Sequence, residues 1–111
     1  MDYLKKHKEI VLDLFTEYAA YPYEPNGVSY QIIQDEVNHH YLLVRHGMID
    51  YQRIYAVVYH VDLVGDKIWV QNDITEEAIA NKLVDRGISK ACVVIGYFSR
   101  KKRQLGEFAV D

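Results

Sequence analysis

The stretch of residues 54–73, IYAVVYHVDLVGDKIWVQND, constrains the fold of this chain more than any other. It is the longest run of β-branched and aromatic residues, it breaks once at Gly65-Asp66, and it resumes as KIWVQ, which is how two strands joined by a two-residue turn read. A hairpin with that turn sets Val64 opposite Lys67. The register then runs back through Leu63 with Ile68, Asp62 with Trp69, Val61 with Val70 and His60 with Gln71. Side chains alternate along a strand, so Val61, Leu63, Ile68 and Val70 share an apolar face, while His60, Asp62, Trp69 and Gln71 share the other. The apolar face requires a cover. The length and apolar density of the hairpin place it inside a sheet rather than at its edge.

A chain of 111 residues, 50% of them apolar, forms one domain spanning 1–111, able to bury roughly 65% of the surface its unfolded form exposes. Its single cysteine, Cys92, cannot form an internal disulfide and lies in the apolar run ACVVIG, where it reads as a small buried hydrophobe. The start, MDYLKKHKEI, has no signal-peptide core, and no uncharged stretch approaches the roughly 18 apolar residues of a membrane span. A soluble, cytoplasmic protein is expected. The net charge of -3 hides one basic knot, Arg100-Lys101-Lys102-Arg103, in an otherwise acidic body. That distribution does not suit tight duplex DNA binding over a large footprint. The knot reads either as a solvated loop or as a contact for a phosphate or acidic partner.

From residue 2 to about residue 20, Leu4, Ile10, Val11, Leu14, Phe15 and Tyr18 form the apolar stripe of a helix. Pro22 and Pro25 stop it, Asn26-Gly27 is a turn signal, and Tyr18, Tyr21 and Tyr23 read as a packed helix end. A strand over 28–34, a polar loop over 35–38, a strand over 39–46 and a turn over 47–50 lead into the hairpin and make a four-stranded meander. After Gln71 the period becomes helical through Ile74, Ala78, Ile79, Leu83 and Val84, with Asp73 or Thr75 as cap and Gly87 at the C-terminal left-handed position. ACVVIG is the last strand. The order α-β-β-β-β-α-β predicts an α+β fold, a mostly antiparallel sheet with both helices on one face.

The segments HVDLVGDKIWVQND, TEEAIANKLVDRGI, HYLL at 40–43 and the terminal EFAV, with the N-terminal helix, resemble the XisI family of cyanobacteria along nearly the whole chain. The resemblance implies a controlling factor for excision of the fdxN element, a site-specific DNA rearrangement in heterocyst differentiation, acting beside a recombinase and a companion, XisH. The sequence departs from the family pattern after HYLL, where RHGMIDYQR lacks a tryptophan, and after the last strand, where Tyr97-Phe98-Ser99-Arg100 replaces a His-Pro-Pro turn.

The residues themselves favour a binding role over catalysis. His60 and Asp62 share a face and could be an acid-base pair, as in a small hydrolase, or half of a metal site, but a hydrogen-bonded strand histidine is the plainer reading. His39 and His40 would point to opposite faces of a strand, which spoils chelation; His7 and His46 have no obvious partners. There is no Asp-x-Lys or Glu-x-Lys triplet of the nuclease kind, no glycine-rich phosphate loop and no zinc-ligand spacing. No catalytic residue, metal or cofactor is expected. The face carrying His60, Asp62, Trp69 and Gln71 is instead expected to be an interface, with Trp69 as anchor, toward a second copy or a XisH-like companion. The competing expectation is that the tail folds back over this face, with Phe98, Leu105 and Phe108 as cover.

Overall fold

Apolar residues three and four apart build the first helix, α1 (Tyr3–Ala19), whose inner stripe of Val11, Leu14 and Phe15 is buried. The structure is a computed structural model that describes residues 3–20 and 24–111; the expectations for Asp2, Tyr21, Pro22 and Tyr23 lie outside the described residues. Four strands follow as a meander: β1 (Val28–Asp35), β2 (His40–Ile49), β3 (Gln52–Val64) and β4 (Lys67–Asp73). The second helix, α2 (Ile79–Asp85), leads through a 3-10 turn to β5 (Val93–Ile95), which pairs parallel to β4. The sheet order is β1-β2-β3-β4-β5, so β3 is its central strand.

The hairpin register is as expected from Val64 with Lys67 through Val61 with Val70, and then departs: His60 pairs with Asn72, not with Gln71. Gln71 is an extra residue in β4, a bulge that a strict alternation of side chains does not reveal. A second bulge at Val58 shifts β3 against β2. The turn expected over 47–50 is shorter, because β2 runs on to Ile49.

Both helices lie on the face of Tyr41, Leu43, Tyr59, Val61, Leu63, Ile68 and Val70, where Ile79, Ala80 and Leu83 of α2 meet the stripe of α1. Phe15 stacks on Tyr59 with ring centroids 5.4 Å apart, and Tyr18 meets Tyr59 edge-on at 5.4 Å. Burial in this cluster pushes the Tyr59 hydroxyl up to about 12. At the rim, Glu24 accepts from the Tyr30 hydroxyl at 2.6 Å and from Arg45 at 3.0 Å. Those two donors hold its carboxyl below the usual range.

The second helix begins at Ile79, five residues after the periodic pattern starts at Ile74, which is exposed. The reason is Asp73, as a cap reaching further than expected. One carboxylate oxygen accepts from the Thr75 amide at 2.8 Å and from its hydroxyl at 2.6 Å, while the other accepts from the Ile79 amide at 2.7 Å. Local side-chain bonding of this kind gives the backbone an alternative to helix. Gly87 ends α2 with φ 94°, in the left-handed region expected for it.

His7 is the buried exception on α1: its side chain lies in the apolar interior, and Nδ1 is the only buried side-chain polar atom without a partner among the described residues. Burial, with Lys6 adding to it, lowers its pKa. The fold therefore holds His7 neutral, whereas the unfolded chain takes up a proton as pH falls through about 6.5. Stability from this group is complete above that pH and is lost on acidification toward the lowered folded value. As pH falls from about 7.5 to 5.5, wild type is expected to lose more stability than His7→Leu. Parallel acid shifts of both unfolding midpoints would show that His7 titrates normally.

Candidate functional site

The sheet face opposite α1 and α2 carries the side chains that the sequence singles out. Asp62 lies on the central strand opposite both Trp69 on β4 and His40 on β2. His40 Nδ1 is 2.6 Å from Asp62 Oδ1, and His60 Nε2 is 2.9 Å from the same oxygen. Gln71 Nε2 donates to the other oxygen at 3.1 Å. The bulge is what allows this, because it frees Gln71 from the ladder while keeping its side chain on Asp62. Asp62 is thus largely covered by its donors, with 15% of its side chain exposed, while His60 and His40 retain 34% and 46%. The hydrogen bond from His40 to Asp62, reinforced by the carboxylate charge, raises the pKa of that imidazole.

His40 is the member that sequence reasoning missed. Adjacent in sequence, His39 and His40 read as a strand pair, but His39 is in the turn, with φ 60°, and its carbonyl accepts from the Leu63 amide at 3.0 Å. The turn is wound by Asp35, whose carboxylate accepts from the amides of Val37 at 3.0 Å and Asn38 at 3.1 Å. His40 then opens β2 on the Asp62 face. An Asx turn ahead of a histidine, combined with the register of β2 on β3, is the signal that could have found it.

Trp69 does not stand open. Arg103 lies over its ring, 5.4 Å from guanidinium to centroid. The basic knot expected as a loop is a short helix, α3 (Arg100–Gln104), capped by Ser99, whose hydroxyl accepts from the Lys102 amide at 3.2 Å. Arg103 points inward from it, donating to the carbonyls of Phe98 at 2.6 Å and Val110 at 2.7 Å, with 12% of its side chain exposed. Arg100 pairs with Asp111 at 2.8 Å, Lys101 is exposed, and Lys102 sits over the Phe98 ring at 3.8 Å. The tail does fold back toward this face, with Arg103 as the cover for Trp69. Phe98 and Phe108 pack against the core, and Leu105 is exposed.

The residues EFAV close the far edge of the sheet. The Ala109 amide donates to Val93 at 2.9 Å, Ala109 bridges Val94, Phe108 packs on the core, and Glu107 pairs with Lys90 at 2.7 Å. That cover ends at β4. Over β1 to β3 the same face leaves Tyr55, Met48 and Ile33 exposed at 63%, 47% and 43%. On the opposite side, a concave region between α1 and α2 is crossed by the Arg86–Glu17 pair and lined by Lys82 and Glu77, which pair at 3.5 Å. No helix among the described residues is long and apolar enough to cross a membrane.

The fold recurs in solved structures. A XisI-like protein from Anabaena variabilis ATCC 29413 superposes with a TM-score of 0.89 at 33% identity, over 97% of this chain and 99% of its own. The fdxN element excision controlling factor XisI from the same organism superposes with a TM-score of 0.80 at 25% identity, over 99% of this chain and 100% of its own. No curated protein sequence matches. The family model described as XisI protein matches residues 1–110, nearly every residue of the sheet, the helices and the tail, and the chain belongs to the XisI family.

Proposed function

We propose that this protein is a non-enzymatic controlling factor of the XisI kind, which serves site-specific excision of a DNA element by docking onto other proteins. The single observation that carries this reading is the helix-free face over β1 to β3, where Tyr55, Met48 and Ile33 are exposed beside half-buried Leu42 and Val57. Exposed aromatic and methionine side chains grouped on a flat sheet surface are the usual composition of an interface core. The partner is a XisH-like companion, as the family resemblance implies. Contact with DNA is left to the recombinase, since Arg103 is turned inward and Arg100 is paired with Asp111. The anchor is Tyr55, still 63% exposed although Arg53 stands over its ring at 5.7 Å, rather than Trp69, which the inward-turned Arg103 covers.

Co-purification of the chain with a co-expressed companion, followed by a binding isotherm, tests this. Tyr55→Ala is expected to weaken the complex by at least about 2 kcal/mol, roughly thirtyfold, while remaining folded. Light scattering on the isolated chain shows whether a second copy takes the same face. A folded Tyr55→Ala, Met48→Ala variant that binds the companion and assembles as wild type does would remove the reading.

A further inference from the structure

Two imidazoles and a carboxylate meet at one point on the sheet face opposite α1 and α2, and such a donor set is suited to a borderline divalent metal ion. We propose that His40, His60 and Asp62 form a three-ligand site for Zn2+ or a similar first-row transition metal. The donor atoms, His40 Nδ1, His60 Nε2 and one Asp62 oxygen, all lie within 4.8 Å of one another. Ligands of a tetrahedral Zn2+, at about 2.0–2.2 Å each, stand about 3.3 Å apart. The two nitrogens are 2.6 Å and 2.9 Å from Asp62 Oδ1 in the hydrogen-bonded arrangement. A metal would therefore draw each nitrogen away from that oxygen by only some tenths of an ångström. His40 and His60 keep 46% and 34% of their side chains exposed, which leaves room for that adjustment.

Three further features suit a site more than a chance contact. All three ligands stand on paired strands, two of them on the central one, so their backbones are fixed by the sheet ladder. Gln71 holds the second Asp62 oxygen at 3.1 Å, the outer-shell bond that fixes the orientation of a ligating carboxylate. The bulge that brings Gln71 there interrupts an otherwise regular ladder, and bulges commonly re-aim a side chain at a functional position. A two-histidine, one-carboxylate set has the softness for Zn2+, Co2+ or Fe2+ rather than for Ca2+ or Mg2+, which prefer oxygen. The half-exposed side of His40 leaves the fourth position to water or to a donor atom from a docked protein. The assignment is independent of the docking reading, because metal binding is measured on the isolated chain.

Equilibrium dialysis of the purified, metal-stripped chain against Zn2+ alone, with Co2+ as a spectroscopic substitute, tests the proposal. One ion per chain is expected, with visible Co2+ absorption of a low-coordinate site. His40→Ala and His60→Ala should each weaken binding at least tenfold, and Gln71→Leu by about 10–100-fold, the usual range for an outer-shell partner. In wild type alone, imidazole resonances of His40 and His60 should shift with Zn2+ while those of His39 and His46 stay in place, a readout that holds even if a variant misfolds. Failure of Zn2+ and Co2+ to bind, or unchanged affinity in folded His40→Ala, His60→Ala, or shifts confined to His39 and His46, would overturn the assignment.

Discussion

Arg103→Ala is expected to destabilise the protein by about 2–3 kcal/mol and to shift the emission of Trp69, the only tryptophan, toward that of a wetter ring. The guanidinium does three things at once. It donates to the carbonyls of Phe98 and Val110, at 2.6 Å and 2.7 Å, and lies over the indole at 5.4 Å. Truncation leaves two carbonyls without a donor, and bonds from a charged group are each worth about 1.5–3 kcal/mol before solvent replaces part of them. Cation-π contact with a desolvated tryptophan adds about 0.5–2 kcal/mol. Urea denaturation followed by fluorescence reads both effects together. Lysine has the charge but not the planar fork, so Arg103→Lys should recover less than half of the loss. The neighbouring Lys101 is exposed, and Lys101→Ala should change stability by no more than about 0.5 kcal/mol. Equal midpoints for Arg103→Ala and Lys101→Ala would mean that the basic segment is solvated throughout.

Gly47→Ala is the second large effect, about 3 kcal/mol or more, at the upper end for forced overpacking. Gly27 and Gly47 let β1 and the end of β2 approach backbone to backbone, with the Met48 amide donating to the Gly27 carbonyl at 3.1 Å. A Cβ on Gly47 would stand 1.9 Å from the Gly27 oxygen and 2.8 Å from its carbonyl carbon. No rotamer relieves a clash between backbone atoms, so the strands must part. Their parting would also loosen the Glu24–Arg45 pair, whose residues flank that crossing. Gly65→Ala is the comparison. An added Cβ there meets nothing within 4 Å, and the cost is backbone strain of about 1 kcal/mol at φ 60°. Hydrogen exchange should show the Met48 amide opening in Gly47→Ala and not in Gly65→Ala. A Gly47→Ala protein as stable as the Gly65→Ala one would contradict the close approach.

Much of the sheet was legible because period-2 alternation is a local property. Val61, Leu63, Ile68 and Val70 announce both the hairpin and its inner face, and the core contains all four. The Gln71 bulge escaped because inserting one residue changes partners without changing composition, and only the pairing ladder records it. The start of α2 escaped for a different reason: Thr75, Glu76 and Glu77 look like a first helical turn, but the Asp73 carboxylate holds them as a loop. Long-range geometry hid the rest. His40 meets Asp62 through the register of two strands, and Arg103 meets Trp69 through the path of the tail. The Asx turn at Asp35 marks where His40 enters its strand but not what it meets, and nothing near Arg103 signals its encounter.

The way the tail closes β5 bears on how the chain folds as it is made. The meander of β1 to β4 is built from neighbours in sequence and can assemble while the C-terminal third is still being synthesised. The outer edge of β5 cannot be sealed at that stage. Its partner, Ala109, and the Val110 carbonyl that holds Arg103 are made well after β4, which ends at Asp73. For that interval the nascent protein carries a bare strand edge next to an uncovered Trp69, the kind of surface that pairs with other chains. Arrival of residues 100–110, rather than formation of the core, is the step that makes this sheet safe from its own copies.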